Sequence, residues 1–132
     1  MSKSSGGGSR KNPRLTLYNK YKAVRVTRGG RSFASKLESA LHRQLELLEQ
    51  AGALRDLKCQ PHVFLTEARI EMIPDFSAID TRTGELVYFE AKGFETDVWR
   101  IKRKLWKYYG PGKLEVYKGS ASRLVLHETI IP

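Results

Sequence analysis

Asp75, in Pro74-Asp75-Phe76, and the triplet Glu90-Ala91-Lys92 lie on two apolar, strand-like segments joined by the polar stretch Thr81-Arg82-Thr83-Gly84. This arrangement restricts the fold more than any other feature of the chain. Apolar alternating segments around a short connection containing glycine read as a β-hairpin. With Asp80 facing Glu85 across a four-residue loop, Asp75 falls opposite Glu90. Directly opposed residues of antiparallel strands have Cβ atoms about 5 Å apart, and like charges there destabilise a sheet. A divalent cation between the two carboxylates reverses the sign of that argument.

Charge is placed as unevenly as the carboxylates are placed pointedly. The net charge is +10, yet no acidic residue precedes Glu38. Ten basic residues stand there, among them Arg10, Lys11, Arg14, Lys20, Lys22, Arg25, Arg28 and Arg31. From Glu38 onward fourteen basic residues balance fourteen acidic ones. The excess therefore belongs to an N-terminal arm, expected over 1–30, on a neutral domain over 31–132. Such an arm suits nucleic-acid phosphates, with a solubilising tail as the plainer alternative. The single cysteine, Cys59, excludes an intrachain disulfide and points to a reducing, cytoplasmic compartment. Cys59 with His42, His62 and His127 gives no zinc spacing, so any metal here is expected to take oxygen ligands. No apolar run reaches membrane-spanning length and no signal-peptide core is visible, so no membrane partner is expected.

Residues 1–13, rich in serine and glycine, read as a flexible leader. Phe33, Leu37, Leu41, Leu45 and Leu48 recur at helical spacing and predict a helix over 32–51, with Gly52 at its C-terminal cap. A strand is expected over 59–65, then the hairpin of 70–80 with 85–92. A second helix over 97–109 is stopped by Gly110-Pro111-Gly112. A strand over 113–117 and an extended segment over 123–131 complete an α/β order of helix, three strands, helix, strand.

Glu90 and Lys92 are two apart on a strand and share one face, while Val87, Phe89 and Ala91 share the other. An acid and a base exposed beside a buried face suit phosphodiester hydrolysis. That reaction needs a metal, an activated water and a positive group near the phosphate. Asp75 and Glu90 supply oxygen ligands for Mg²⁺, the Ala91 carbonyl is a further donor, and Lys92 suits the water or the developing charge. Against this, Pro-Asp is a common turn dipeptide and Glu-x-Lys a common solvated pair. Glu38 reads equally as a capping-box residue with Ser35 or as a third carboxylate. On the second helix, Val98, Ile101, Leu105 and Tyr108 are expected in the core. Arg100, Arg103, Lys104 and Lys107 form a face for phosphate contact or for solvent. Trp99 and Trp106 fit core packing, and Gln60 is a weaker candidate for hydrogen-bond support of the site.

Pro74-Asp75, Glu90-Ala91-Lys92 and a helical Glu38 together resemble the PD-(D/E)XK nuclease superfamily. Within it, the stretch 35–119 is similar to small phage-encoded nucleases of the endonuclease I, Holliday-junction-resolving type. The likeness rests on Ser35-Lys36-Leu37-Glu38, Pro74-Asp75-Phe76, Glu90-Ala91-Lys92-Gly93 and Tyr117-Lys118-Gly119. It implies a restriction-endonuclease-like core, a mixed central sheet flanked by helices. It also implies two-metal hydrolysis with Mg²⁺ or Mn²⁺, leaving a 5′-phosphate and a 3′-hydroxyl. Glu38, Asp75, Glu90 and the Ala91 carbonyl would be metal ligands and Lys92 the catalytic lysine. DNA, branched or distorted as in recombination, is the implied partner, with a homodimer and a host-cell cytoplasmic setting. This chain departs from the pattern in the longer, more polar hairpin tip at 80–85 and in its N-terminal basic extension. A non-catalytic nucleic-acid-binding module keeping the same fold, an RNA-associated basic protein, and a nuclease needing a partner protein for specificity are the competing expectations.

Overall fold

Ser35 starts the first helix by accepting the Glu38 N–H on its hydroxyl at 3.1 Å, from an extended backbone that cannot itself be helical. A computed structural model gives the fold and describes residues 25–132. The expected leader over 1–13 and the basic residues Arg10, Lys11, Arg14, Lys20 and Lys22 lie outside the described residues. Strands β1 (Val26–Arg28) and β2 (Arg31–Phe33) pair around Gly29-Gly30, both at positive φ (59° and 78°) as a two-residue primed turn demands. The arm boundary expected at residue 30 therefore falls inside a hairpin. Helix α1 is Lys36–Gln50. It does not begin at 32: Phe33 ends β2, is buried, and stacks on the His42 ring at 4.9 Å. At the other end Gly52 takes φ +83°, and the Gly52 and Ala53 N–H groups return to the Glu49 and Leu48 carbonyls in a Schellman cap.

Five strands form the central sheet in the order β3-β6-β7-β8-β9. They are β3 (Leu54–Cys59), β6 (Phe76–Asp80), β7 (Leu86–Ala91), β8 (Lys113–Ser120) and β9 (Arg123–Ile130). Only β7 and β8 are parallel, and helix α2 (Asp97–Tyr109) is the crossover that a parallel pair requires. The fold is thus mixed α/β, with two helices among the described residues. The β6–β7 register pairs Phe76 with Phe89 and Ile79 with Leu86, the alignment expected from Asp80 facing Glu85, and the Asp80 N–H donates to the Glu85 carbonyl. The segment over 123–131, expected as a strand or an extended tail, forms the strand β9, the antiparallel partner of β8.

The sheet is covered on both faces. Leu41 and Leu45 of α1 pack on Phe76, Ala78, Val87 and Phe89. Trp99 and Trp106 of α2 pack on Tyr88, Leu114, Val116 and Ile130. Strand β7 is consequently central, and Glu90 is only 6 % exposed. The expectation of a strand buried on one side, with Glu90 in solvent, is overturned because the crossover helix lies on that side. The core stripe expected on α2 is overturned as well. Val98, Ile101 and Tyr108 are 60 %, 61 % and 81 % exposed, whereas Trp99 and Trp106, two turns apart, carry the buried side. No described helix is long and apolar enough to cross a membrane.

A strand over 59–65 does not form. Pairing of β3 with β6 ends at Cys59 and Phe76, with Pro61 and Pro74 just beyond, where a residue without an N–H interrupts a ladder. The intervening chain leaves the sheet as a small hairpin of β4 (Val63–Phe64) and β5 (Glu71–Met72). Its inner side chains, Val63, Leu65 and Met72, join Trp99 in the core, while Phe64 lies outside under the Arg69 guanidinium at 4.2 Å. The Gln60 N–H closes its base on the Asp75 carbonyl at 2.8 Å.

Candidate active site

Asp75 is the last residue before β6, and the ladder register delivers it to the end of β7. There the two carboxylates hold one another's backbones. The Asp75 N–H donates to Glu90 Oε1 at 3.1 Å, and the Ala91 N–H donates to Asp75 Oδ2 at 2.8 Å. Both are hydrogen bonds to an acid that must be desolvated to make them. Burial pushes the Asp75 carboxyl well above the ordinary carboxylate range, and the Glu90 and Glu38 charges push it further. Asp75 nevertheless keeps an accessible edge. Glu90 is raised chiefly by burial, against which Lys92 and the Asp75 N–H pull it down.

Lys92 sits one alternation beyond Glu90, so its side chain returns to the same face. Its Nζ lies 3.1 Å from Glu90 Oε2 and 4.5 Å from the centroid of the Trp99 ring. Its backbone N–H donates to the Tyr117 carbonyl at 2.9 Å, which extends the parallel ladder past the end of β7.

Glu38 reaches this end of the sheet from the first turn of α1. It is 5 % exposed, and its carboxyl is raised by burial, partly offset by the Ala34 N–H on Oε1 at 3.2 Å and by the charges of Arg25 and Lys92. The two readings of Glu38 are therefore compatible. It accepts the Ala34 N–H just before the N-cap with one oxygen and adds negative charge to Asp75 and Glu90. Two buried carboxylates and the half-buried Asp75 thus face one lysine.

In their present rotamers no group of three His, Cys, Asp or Glu among the described residues converges on one point to hold a metal ion. Glu90 Oε1 is engaged by the Asp75 N–H and Oε2 by Lys92. Ala91 contributes its N–H to Asp75 rather than standing apart from the site. Gln60 does support the site, through its backbone N–H on the Asp75 carbonyl.

The basic residues separate into two groups. Arg28 is taken up by the fold: it bonds Ser39 Oγ, Glu46 and His42 Nδ1 and covers the Phe33 ring. Arg103 makes a two-pronged pair with Glu128, and Arg100 pairs with Asp97 at 3.0 Å. Arg25 bonds Ser32 Oγ at 2.9 Å and projects its charge onto Glu38. Arg31, Lys104 and Lys107 are exposed, the two lysines beside a cleft of about 480 Å³ that Arg103 and Tyr108 also line. Trp99 is the site residue that sequence reasoning assigned to packing alone. Its signal was local: Thr96-Asp97 caps α2, which places residue 99 in the first turn, directly after the strand end that carries Lys92.

Residues 18–119 match the model of a family described as Protein of unknown function (DUF1064). No curated protein matches the chain.

Proposed function

The chain belongs to the DUF1064 family, whose description carries no activity, and on its site we propose that it is a metal-dependent DNA endonuclease of the PD-(D/E)XK type. One observation carries the reading. Buried Glu38 and Glu90 and half-buried Asp75 gather at the end of paired strands, with their carboxyls raised and Lys92 bonded to Glu90. A fold gains nothing from such an arrangement, because uncompensated buried charge destabilises it. The donor set is all oxygen, which fits a hard divalent cation such as Mg²⁺ or Mn²⁺. Glu38, Asp75, Glu90 and the Ala91 carbonyl would hold it. When bound, such an ion supplies charge neutralisation at the scissile phosphate and a more acidic water.

The chain's own groups do the rest. Lys92 Nζ, a donor with three N–H bonds, stands beside Glu90 where it stabilises negative charge developing on a phosphate oxygen or orients the attacking water. Arg25, Lys104 and Lys107 supply phosphate contacts that hold the strand without reading its sequence. The mixed sheet between two helices, with its parallel β7–α2–β8 unit, supports a restriction-endonuclease-like core. A non-catalytic DNA-binding module is the second reading, favoured by the hydrogen bonds that engage both Glu90 oxygens.

The test is cleavage of labelled four-way junction, flap, duplex and single-stranded DNA in Mg²⁺ or Mn²⁺, with affinity followed in Ca²⁺. Cutting that requires the metal and vanishes in Lys92→Ala, with affinity kept within about threefold, is the expected result. Binding without cutting of any substrate in either metal would favour the module.

A further inference from the structure

We infer that Trp99 is a positioning residue for Lys92, holding the ammonium over the indole face on the Glu90 side of the site. The inference rests on the nuclease reading for its kinetic readout and on geometry for everything else. Lysine carries its charge on a flexible stem, so a lysine that must act at one point needs an outside constraint. Here the backbone is fixed by the Lys92 N–H on the Tyr117 carbonyl, and the head group by Glu90 Oε2 at 3.1 Å and the Trp99 ring at 4.5 Å. The ring is itself immobile. It is 5 % exposed, and its backbone N–H donates to the Thr96 cap at 3.0 Å.

Packing does not explain why this residue is a tryptophan. Trp99 Nε1 is the buried side-chain polar atom that lacks a partner among the described residues, whereas the Trp106 indole donates to the Gly112 carbonyl at 2.8 Å. An orphaned buried donor destabilises a core, and an apolar side chain would not carry that cost. Indole does offer the strongest cation–π face of the natural side chains. The orphaned N–H is then the consequence of keeping that face under Lys92.

The experiment compares Trp99→Phe and Trp99→Leu with wild type in the full chain. In protein labelled with [ε-¹³C]lysine, one ε-CH₂ resonance should be shifted upfield by the ring and should vanish in Lys92→Arg. It should relax to the ordinary lysine position in Trp99→Leu and keep part of its shift in Trp99→Phe. Trp99→Leu should lower kcat about tenfold, with DNA affinity in Ca²⁺ unchanged within about twofold, and Trp99→Phe should recover most of the loss. Absence of the upfield resonance in wild type, or full kcat in folded Trp99→Leu, would overturn the inference. If Trp99→Leu does not fold, a Trp99→Phe variant equal to wild type in both shift and kcat does the same. If wild type cuts nothing, the nuclease reading fails, and the resonance comparison alone decides whether Trp99 holds Lys92.

Discussion

Asp75→Asn is expected to lower DNA cleavage by about a thousand-fold or more, the loss of several kcal/mol of charge stabilisation. The same change should raise the stability of the metal-free fold by about 1–2 kcal/mol, as when a strained functional site is relieved. The asparagine carbonyl can still accept the Ala91 N–H that Asp75 Oδ2 accepts at 2.8 Å, so geometry is preserved while a buried charge is removed. The pH dependence follows from the direction of the shift. A carboxyl raised in the fold binds its proton more tightly folded than unfolded, so its ionisation removes stability as pH rises from the usual carboxylate range through the raised value. The advantage of Asp75→Asn should therefore widen between pH 5 and 8 in urea titrations run with chelator. His42 works in the opposite sense. Burial lowers its pKa, so acid destabilises the fold through it, but that contribution is common to both proteins and cancels in the difference. A variant no more stable than wild type at pH 8 would show that the carboxylates are already compensated without metal.

Trp106→Ala is expected to destabilise the chain by about 3–5 kcal/mol, a large part of the roughly 5–15 kcal/mol that holds a domain together. Trp106 is fully buried, meets the Tyr88 ring edge-on at 5.0 Å, and bonds the Gly112 carbonyl. Its ring also presses on the end of α2, where a methyl group at Gly110 would stand 2.5 Å from Nε1. The indole thus ties the crossover helix to β7 and to the start of β8. Thermal and urea unfolding would read the loss, and a change below about 1 kcal/mol would mean that α2 is not anchored through this ring.

The contrast between the two indoles also marks where sequence reasoning holds. Helix α2 matches its predicted span residue for residue, because Thr96 caps it and Gly110-Pro111 ends it, and such signals are local. The β6–β7 register was equally legible, since an Asp-to-Gly turn and alternating apolar residues leave one alignment that buries Phe76 and Phe89 together. The face of α2 was not legible. Val98, Ile101, Leu105 and Tyr108 are as well spaced as any core stripe, yet only Leu105 packs on the core, and what turns Val98, Ile101 and Tyr108 outward is the area of Trp99 and Trp106 against a sheet formed elsewhere in the chain. Burial of Glu90 escaped for the same reason: a strand does not record whether its second face will receive a helix. Arg28 reads as one more charge of a basic arm, and only the fold of β1 and β2 against α1 reveals its bonds to Glu46 and His42.

The excursion from Gln60 to Asp75 has a further consequence. Its two ends are joined by the backbone hydrogen bond from the Gln60 N–H to the Asp75 carbonyl. Segments of different length or shape can therefore be exchanged between those ends without shifting the carboxylates, because lengthening a closed loop adds little entropy. Whatever replaces it must still bring apolar side chains to the places of Val63, Leu65 and Met72 over Trp99. The carboxylate geometry is in this way set by the sheet, independently of the length and shape of the insert beside it.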